Sequence, residues 1–343
     1  MRPAPRKIAV MGAGSWGTTF AKVLADSGAE SGTEVMVWAR RNEVAIEINT
    51  RHTNTRYLRE TMLPANITSS SDTAEVLAGA DLVVLAVPAQ SLREQLLGFK
   101  DSLEPTAVLV SLMKGLERGT DLRMSEVIAE VTNLPEERIA VLSGPNLAME
   151  IARKQPTASV VACRELETAS WIAVMCSTDY FRPYTNTDVI GVEIGGIAKN
   201  VIALAVGICD GMGMGDNTKS SIITRGLAET TRLALALGGS YETLSGLAGL
   251  GDLVATCSSS LSRNNTAGRL LGQGLYLDEV NDRMSQTAEG IKSGRAVLDL
   301  ATRHNVEVPI TEAVVMVLEG TLSVENMGSR LLGRRLKSEG ELN

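Results

Sequence analysis

The chain has 343 residues, 44% hydrophobic and 21% charged, a composition typical of a globular protein long enough for two ordinary domains. Its formal net charge of -7 argues against a nucleic-acid partner, although a locally basic pocket for an anionic ligand stays open. Four scattered cysteines without a C-x-x-C pair and only two histidines argue against a disulfide framework or a metal site, and reduced thiols suit the cytoplasm.

Neither a signal peptide nor a membrane span is expected. The basic N-terminal residues run straight into an apolar segment, which leaves no room for a signal peptide. No apolar stretch approaches the roughly 20 residues that a membrane span needs.

The first half of the chain alternates apolar runs with helical patterns. The apolar runs predict buried parallel strands at residues 7–11, 34–38, 81–87, 107–111, 138–142 and 157–162. Helical periodicity occurs between several of them, at 18–27, 90–97, 121–131 and 165–176. This alternation predicts a doubly wound, Rossmann-type parallel sheet.

From Gly191 onward the pattern is almost entirely helical. The predicted helices lie at residues 194–209, 218–237, 263–271, 289–304 and 311–319. We therefore predict an α/β protein, with a Rossmann-like dinucleotide-binding domain over residues 1–190 and an all-helical domain over residues 191–343.

A glycine-rich turn follows the first predicted strand and opens the first predicted helix. The segment Gly12-Ala13-Gly14-Ser15-Trp16-Gly17 has the G-x-G-x-x-G spacing of a dinucleotide-binding turn. Gly12 allows the tight turn, Gly14 lets the backbone approach a pyrophosphate, and Gly17 lets the helix pack close to the sheet. Backbone N–H groups at the helix N-terminus then face the phosphates, so the turn predicts a nicotinamide or flavin dinucleotide site. The alternative is a glycine-rich turn that binds nothing.

The second predicted strand ends in Arg40-Arg41. Sites that prefer NAD usually carry Asp or Glu here, bonded to the ribose hydroxyls. Two guanidinium groups can instead hold the 2′-phosphate of NADP, so the pair favours NADPH, with NADH tolerated. The alternative is that both arginines belong to the solvated start of a helix.

Two lysines stand in unusual surroundings. Lys114 follows a predicted buried strand, at the sheet edge where open α/β sheets bind ligands, and could contact an anionic substrate or the cofactor. Lys199, together with Asn200, interrupts an otherwise apolar helix, where a buried ammonium needs a partner. Burial and like charges can bring a lysine pKa toward neutrality, so Lys199 is a candidate general acid or base. The alternatives are a surface-loop lysine at 114 and a structural Lys–Asp pair at 199.

A second glycine-rich segment, residues 246–253, contains Asp252, and Ser262-Arg263-Asn264 then opens another predicted helix. Backbone N–H groups, a hydroxyl, a guanidinium and an amide converge there, which suits a phosphate monoester. The alternative is an ordinary serine N-cap.

These motifs occur in an order that is typical of one family. The chain carries G-A-G-S-W-G-T, M-K-G-L-E, S-G-P-N-L-A, G-G-I-A-K-N, G-L-A-G-L-G-D-L, S-R-N-N and T-A-E-G. With them it resembles the bacterial-type NAD(P)-dependent glycerol-3-phosphate dehydrogenases over nearly its whole length. The resemblance implies reversible reduction of dihydroxyacetone phosphate to sn-glycerol 3-phosphate for glycerophospholipid biosynthesis. Separately from the resemblance, the helical domain could supply the interface of a homodimer.

The resemblance also implies roles for individual residues, and Lys199 matches the catalytic lysine. Cofactor contacts are matched by Ser15, Trp16, Arg40, Lys114, Ala148, Arg263 and Glu289, with Thr287 beside the last. Substrate contacts are matched by Lys114, Gly144, Asn146, Lys199, Asp252, Ser262, Arg263 and Asn264. Positions 146 and 287 depart from the family pattern, which often has Ser or Thr and Val there. The Asn amide still donates and accepts, and Thr is close to Val in size.

In the implied reaction, hydride reaches the carbonyl carbon while negative charge develops on its oxygen. We assign protonation of that oxygen to the ammonium of Lys199, oriented by Asp252 and Asn200, and binding of the substrate phosphate to the helix that opens at residues 262–264. A β-hydroxyacid dehydrogenase would share the two-domain plan but would not need this phosphate site. A redox sensor that holds NADPH without turnover would not need the buried lysine.

Overall fold

The computed structural model describes residues 3–29, 31–59, 61–284, 288–333 and 335. The chain forms two compact units. The first comprises Met1–Met113 and Leu122–Val189, and the second comprises Lys114–Asp121 and Ile190–Asn343. The segment Lys114–Asp121 therefore belongs to the second unit, although the chain on both sides of it belongs to the first. The predicted single boundary near residue 190 does not include this earlier segment of the second unit.

An eight-stranded sheet forms the centre of the first unit. Its strands are β1 (Lys7–Met11), β2 (Glu34–Trp38), β3 (Ile67–Ser70), β4 (Leu82–Leu85), β5 (Val108–Ser111), β6 (Ile139–Ser143), β7 (Thr157–Cys163) and β8 (Phe181–Asn186). Their order is β3-β2-β1-β4-β5-β6-β7-β8, so the direction of winding reverses between β1 and β4, as in Rossmann-type sheets. The predicted α/β class is confirmed.

Both faces of this sheet are covered by apolar packing. Val10 and Met11 are neighbours on β1 and point to opposite faces, and each belongs to a different buried apolar cluster. The helices of the unit are α1 (Ser15–Ser27), α2 (Asn42–Arg51), α3 (Thr55–Leu58), α4 (Thr73–Leu77), α5 (Leu92–Phe99), α6 (Met124–Thr132), α7 (Ala148–Ala152) and α8 (Leu166–Met175). Strands β4, β5 and β6 are buried along their whole length, which explains their continuous apolar sequences.

The sheet differs from the predicted one at one end. Strand β7 runs antiparallel to β6, and β8 is parallel to β7. The link between β6 and β7 contains only the five-residue α7, whereas the parallel neighbours β7 and β8 are joined through the ten-residue α8. Strands β3 and β8 were not predicted. β3 is short and polar, and β8 contains Pro183, which is tolerated because β8 lies at the sheet edge.

Apart from the segment Lys114–Asp121, the described part of the second unit is built from helices and short connections, as predicted. The helices are α9 (Val189–Gly211), α10 (Asp216–Ala236), α11 (Tyr241–Ser245), α12 (Asp252–Ser258), α13 (Arg263–Gly272), α14 (Leu277–Arg283), α15 (Glu289–Arg303), α16 (Pro309–Leu318) and α17 (Val324–Leu332). A single π-helical turn, Leu247–Gly251, leads directly into α12.

Helix α9 corrects one expectation from the sequence. With 23 residues it is long and apolar enough, by length and composition alone, to cross a membrane, so the statement that no apolar stretch approaches that length is wrong. However, 89% of its apolar window is buried within the protein. Side chains of α9 such as Ile202, Leu204 and Ile208 lie in the apolar core of the second unit. A buried core helix meets the same length and composition criterion as a membrane span.

Glycines allow α13 to pack directly on α9. A Cβ built at Gly207 would lie 2.2 Å from the carbonyl oxygen of Asn265, and one at Gly268 would lie 2.2 Å from that of Leu204. One turn further on, Gly211 and Gly272 make the same kind of close approach. No real Cβ fits at such distances, so the spacing of the two helices depends on these glycines.

This packing predicts the effect of adding one methyl group. Gly268→Ala should lower the apparent melting temperature by about 2–12 °C, because overpacking costs about 1–3 kcal/mol and each kcal/mol shifts a unit of this size by about 2–4 °C. Gly328→Ala in α17 is the control, since the nearest heavy atom to its Cβ is Met214 Cε at 4.0 Å. That change should be neutral or stabilising by up to about 1 kcal/mol. Equal melting temperatures for the two variants in differential scanning fluorimetry would contradict the packing argument.

Candidate active site

Parallel strands bring several predicted site residues of the first unit to one edge of its sheet. Strands β1, β2, β4, β5 and β6 run in the same direction, so their carboxyl ends share that edge. The glycine-rich turn follows β1, Arg40 follows β2, and residues 144–146 follow β6. These residues therefore lie where open α/β sheets bind their ligands.

The glycine-rich turn leaves open space over the start of α1. A Cβ at Gly12, whose φ is +133°, would lie 2.4 Å from the Ala86 carbonyl oxygen, and one at Gly17 would lie 2.1 Å from the Gly12 carbonyl oxygen. Packing therefore requires glycine at both positions. At Gly14 a Cβ would meet nothing within 4 Å. Helix α1 begins at Ser15 with Gly14 as its N-cap and with no side-chain cap, so its first N–H groups are suited to an anion.

Two predicted contact residues in the first unit have buried polar atoms without a partner. The indole Nε1 of Trp16, whose ring centroid lies 5.6 Å from that of Phe20, makes no hydrogen bond to the described residues. Neither polar atom of the Asn146 amide bonds to any of them. Because buried polar groups are nearly always hydrogen-bonded, these atoms are suited to a bound ligand. Together with the open turn, they fit a dinucleotide.

Gly144 and Ala148 lie on either side of Asn146. Gly144 has a φ of +141°, and a Cβ there would lie 3.1 Å from Ser159 Cα on the neighbouring strand. Ala148 begins α7, and its carbonyl oxygen accepts a hydrogen bond from the Thr19 hydroxyl at 3.3 Å. Since Thr19 belongs to α1, this bond holds the start of α7 beside the glycine-rich turn.

The two arginines after β2 have different surroundings. Arg40 is exposed and makes no ion pair with the described residues. Arg41 is the N-cap residue of α2, and its Nε lies 3.5 Å from Glu43 Oε1. The helix start that we considered as the alternative is therefore present, but it leaves the guanidinium of Arg40 accessible to a phosphate.

A buried carboxylate joins two lysines in the second unit. Asp252 is 1% exposed, and its Oδ1 and Oδ2 accept hydrogen bonds from Lys199 Nζ and Lys114 Nζ, both at 2.6 Å. The side chains of Lys199 and Lys114 are 9% and 16% exposed. One carboxylate thus faces two ammonium groups, and the cluster carries an excess positive charge that favours an anionic ligand.

The pKa of Lys114 is shifted toward neutral pH. Burial lowers the pKa of Lys114 to about 8, because its charged form loses water; Asp252 opposes this effect and Lys199 adds to it. Lys114 is therefore mostly an ammonium at pH 7 and loses its proton in mildly alkaline solution.

Glycines also bring the cluster together. A Cβ at Gly195 would lie 2.6 Å from the Ala248 carbonyl oxygen, so α9 lies directly against the glycine-rich turn that precedes α12. Asp252 is the first residue of α12, immediately after the π-helical turn. π-helical turns are rare in proteins, and those that occur often lie at functional sites.

The contacts of Lys199 differ in two ways from those expected. Thr256, which the sequence analysis missed, accepts a hydrogen bond from Lys199 Nζ at 2.6 Å and bonds Asp252 Oδ1 at 3.3 Å. Its position four residues after Asp252, on the same face of α12, was the available signal. Asn200 does not orient Lys199 within the described structure. Successive residues of a helix point in different directions, and the Asn200 side chain bonds Asn264 instead.

Asn264 connects three of the helices in the second unit. Its Nδ2 donates to Asn200 Oδ1 at 2.8 Å, and its Oδ1 accepts from the Gly290 N–H, also at 2.8 Å. Gly290 follows Glu289, the first residue of α15, so this bond brings Glu289 near the start of α13. Thr287 lies outside the described residues.

The start of α13 carries the remaining predicted contacts. Ser262 is its N-cap, and the Ser262 hydroxyl accepts a hydrogen bond from the Asn265 N–H at 3.2 Å. Ser262 therefore has the ordinary N-cap role that was the alternative interpretation of this residue. The side chain of Arg263, the first residue of the helix, is exposed. A capped helix start with an adjacent exposed guanidinium can still bind a phosphate, because the cap uses only one of its N–H groups.

Comparisons with known proteins agree along nearly the whole chain. Residues 7–169 match the model of the NAD-dependent glycerol-3-phosphate dehydrogenase N-terminus, and residues 188–329 match that of the C-terminus. A glycerol-3-phosphate dehydrogenase (NAD(P)+) from Thermobifida fusca is 60% identical over 312 residues, which cover 91% of this chain and 92% of the relative. One from Streptomyces griseus is 57% identical over 335 residues, which cover 98% of each.

Solved structures give the same result. The crystal structure of glycerol-3-phosphate dehydrogenase from Coxiella burnetii superposes with a TM-score of 0.90 at 36% identity, covering 97% of this chain and 100% of that one. A ketopantoate reductase from Ralstonia eutropha, with a TM-score of 0.58 and 17% identity, is similar in fold alone. The chain therefore belongs to the NAD-dependent glycerol-3-phosphate dehydrogenase family.

Proposed function

We propose that the protein is an NAD(P)-dependent sn-glycerol-3-phosphate dehydrogenase, which reversibly reduces dihydroxyacetone phosphate to sn-glycerol 3-phosphate. Its relatives carry the name of this activity. The observation that carries the proposal is the pair of lysines on the buried carboxylate of Asp252, because it offers both a proton donor and a positive charge for an anionic substrate. The product is used for glycerophospholipid biosynthesis, the known role of this family.

The cofactor is NADH or NADPH, and its reduced nicotinamide supplies the hydride. In this proposal the residues from Gly12 to Gly17 hold the phosphates of the dinucleotide, and the unpaired polar atoms of Trp16 and Asn146 bond to the cofactor and the substrate. Ala148 lies beside the same turn. Glu289 and Arg263 complete the cofactor contacts that the family pattern assigns.

Lys199 is the residue that we assign to proton transfer. An ammonium has three N–H donors, and Lys199 uses two of them on Asp252 and Thr256. The third can be donated to the carbonyl oxygen of the substrate as negative charge develops there. Asp252 and Thr256 hold the Lys199 side chain in place for this step.

The substrate phosphate is assigned to the start of α13, with Lys114 as a further cation. Ser262, Arg263 and Asn264 supply a hydroxyl, a guanidinium and an amide at this helix start. Binding the phosphate away from the carbonyl fixes the position of the reacting carbon, which is the main benefit of a remote anchor.

We further propose a soluble cytoplasmic enzyme that acts on small molecules and is able to form a homodimer. The four cysteines are free and buried, which is compatible with a reducing compartment. The order of the family's two regions along the chain also agrees with the proposed division into a dinucleotide-binding and a substrate-binding domain.

The role of Lys199 predicts a selective loss of turnover. Lys199→Ala should lower kcat by about 10²–10⁴-fold, because a general acid contributes about that much, while the Kd of NADPH stays close to that of the wild type. Lys219→Ala, which removes a lysine from an ion pair with Asp216 on α10, is the matched control. The measurement is NADPH absorbance loss with dihydroxyacetone phosphate. Retention of most turnover in Lys199→Ala would remove the assignment.

The role of Arg40 predicts a change of cofactor preference. We propose that NADPH is preferred because Arg40 holds its 2′-phosphate. Arg40→Asp should therefore reduce kcat/KM for NADPH by at least about tenfold relative to NADH, since it replaces a charge-assisted hydrogen bond by repulsion. The control is Arg51→Asp at the end of α2, which also follows β2 in the chain and makes the same change in net charge. It should leave the ratio unaltered. An unchanged ratio in Arg40→Asp would place Arg40 outside the site.

A further inference from the structure

Asn54, a residue without a role in the catalytic cluster or the predicted cofactor set, contacts the glycine-rich turn. It precedes α3 and is fully buried, with 0% of its surface exposed. Its Nδ2 donates hydrogen bonds to the Ala13 carbonyl oxygen at 3.0 Å and to the Thr18 hydroxyl at 2.9 Å. Because a carbonyl oxygen can only accept, the orientation of the Asn54 amide is fixed by this contact.

The bond to Ala13 also fixes the next peptide group. In a trans peptide the carbonyl oxygen and the following N–H point in opposite directions. Since the Ala13 oxygen points to Asn54, the Gly14 N–H points away from it. No hydrogen bond joins this N–H to another described residue, and the space next to Gly14 is open.

Asn54 ties the turn to the helix as well. Thr18 lies in the first turn of α1, and its own N–H donates to the Gly14 carbonyl oxygen at 2.9 Å. One side-chain amide therefore sets both the peptide plane before Gly14 and the helix after it. The Oδ1 of Asn54 is buried without a partner in the described structure, so the two donated bonds are what the amide contributes here.

We propose that Asn54 is a positioning residue for the dinucleotide. It holds the Ala13–Gly14 peptide so that the Gly14 N–H faces the pyrophosphate. The proposal rests on the proposed function in one respect, namely that a nicotinamide dinucleotide binds at this turn.

The test is the affinity for NADPH of the full-length protein, measured by fluorescence titration without substrate. Asn54→Asp has the same shape but, when ionised, cannot donate to Ala13. Its Kd for NADPH at pH 8 should be about tenfold higher than that of the wild type, the equivalent of one lost hydrogen bond. At pH 6 the difference should shrink, because a buried carboxyl has a raised pKa and can donate once it is protonated. The wild type is titrated at both pH values, so that the cofactor's own ionisation cancels.

Thr18→Ala is the matched control, since it removes the other acceptor of the same amide and leaves the bond to Ala13. Its Kd should stay within about threefold of the wild type. An unchanged Kd in Asn54→Asp, or an equal rise in both variants, would reduce Asn54 to a structural residue and overturn the proposal. If Asn54→Asp does not fold, Asn54→Ser replaces it, with the same expected rise at pH 8 and no recovery at pH 6. Failure of the wild type to bind NADPH or NADH would instead overturn the proposed function on which this inference rests.

Discussion

The buried carboxylate of Asp252 is the interaction on which the second unit's chemistry depends. It accepts hydrogen bonds from two lysines that come from separate segments, and it is 1% exposed. Without it, two ammonium groups would face each other in a partly desolvated site, which is a costly arrangement. With it, the site retains both cations and still carries excess positive charge for a phosphorylated substrate.

The rest of the second unit holds this cluster in place. Close approaches at Gly195 set α9 against the turn before α12, so Lys199 and Asp252 meet. The segment that carries Lys114 is fixed at two further points. Leu116 is completely buried in the apolar core of the unit, and the Asp121 carboxylate accepts a hydrogen bond from the Arg303 guanidinium. Packing and ion pairing therefore fix the segment that positions Lys114, whereas an exposed loop would leave this side chain without a fixed position.

Local sequence patterns were sufficient for part of this architecture. The glycine spacing after β1 predicted the turn, because packing requires glycine at Gly12 and Gly17 and Gly14 leaves open space beside the turn. The lysine in apolar α9 predicted a buried charge with a partner. The reversal of β7 was not predicted, because an apolar run shows that a strand is buried but not its direction. The assignment of Lys114–Asp121 to the second unit depends on tertiary packing that no local pattern encodes. Thr256 had a local signal, its spacing from Asp252, but its contact with Lys199 depends on how two helices pack.

The most direct measurement is the pH dependence of kcat/KM for dihydroxyacetone phosphate between pH 7 and 9.5, in the wild type and in Lys114→Arg. A lysine is cationic below its pKa, and burial lowers the pKa of Lys114 to about 8. The wild-type value should therefore fall above pH 8, as the free enzyme loses the ammonium that binds the phosphate. Lys114→Arg stays charged and should lose this fall, even if its overall value is lower. A flat wild-type profile, or the same fall in both proteins, would contradict the role given to the lysine pair on Asp252.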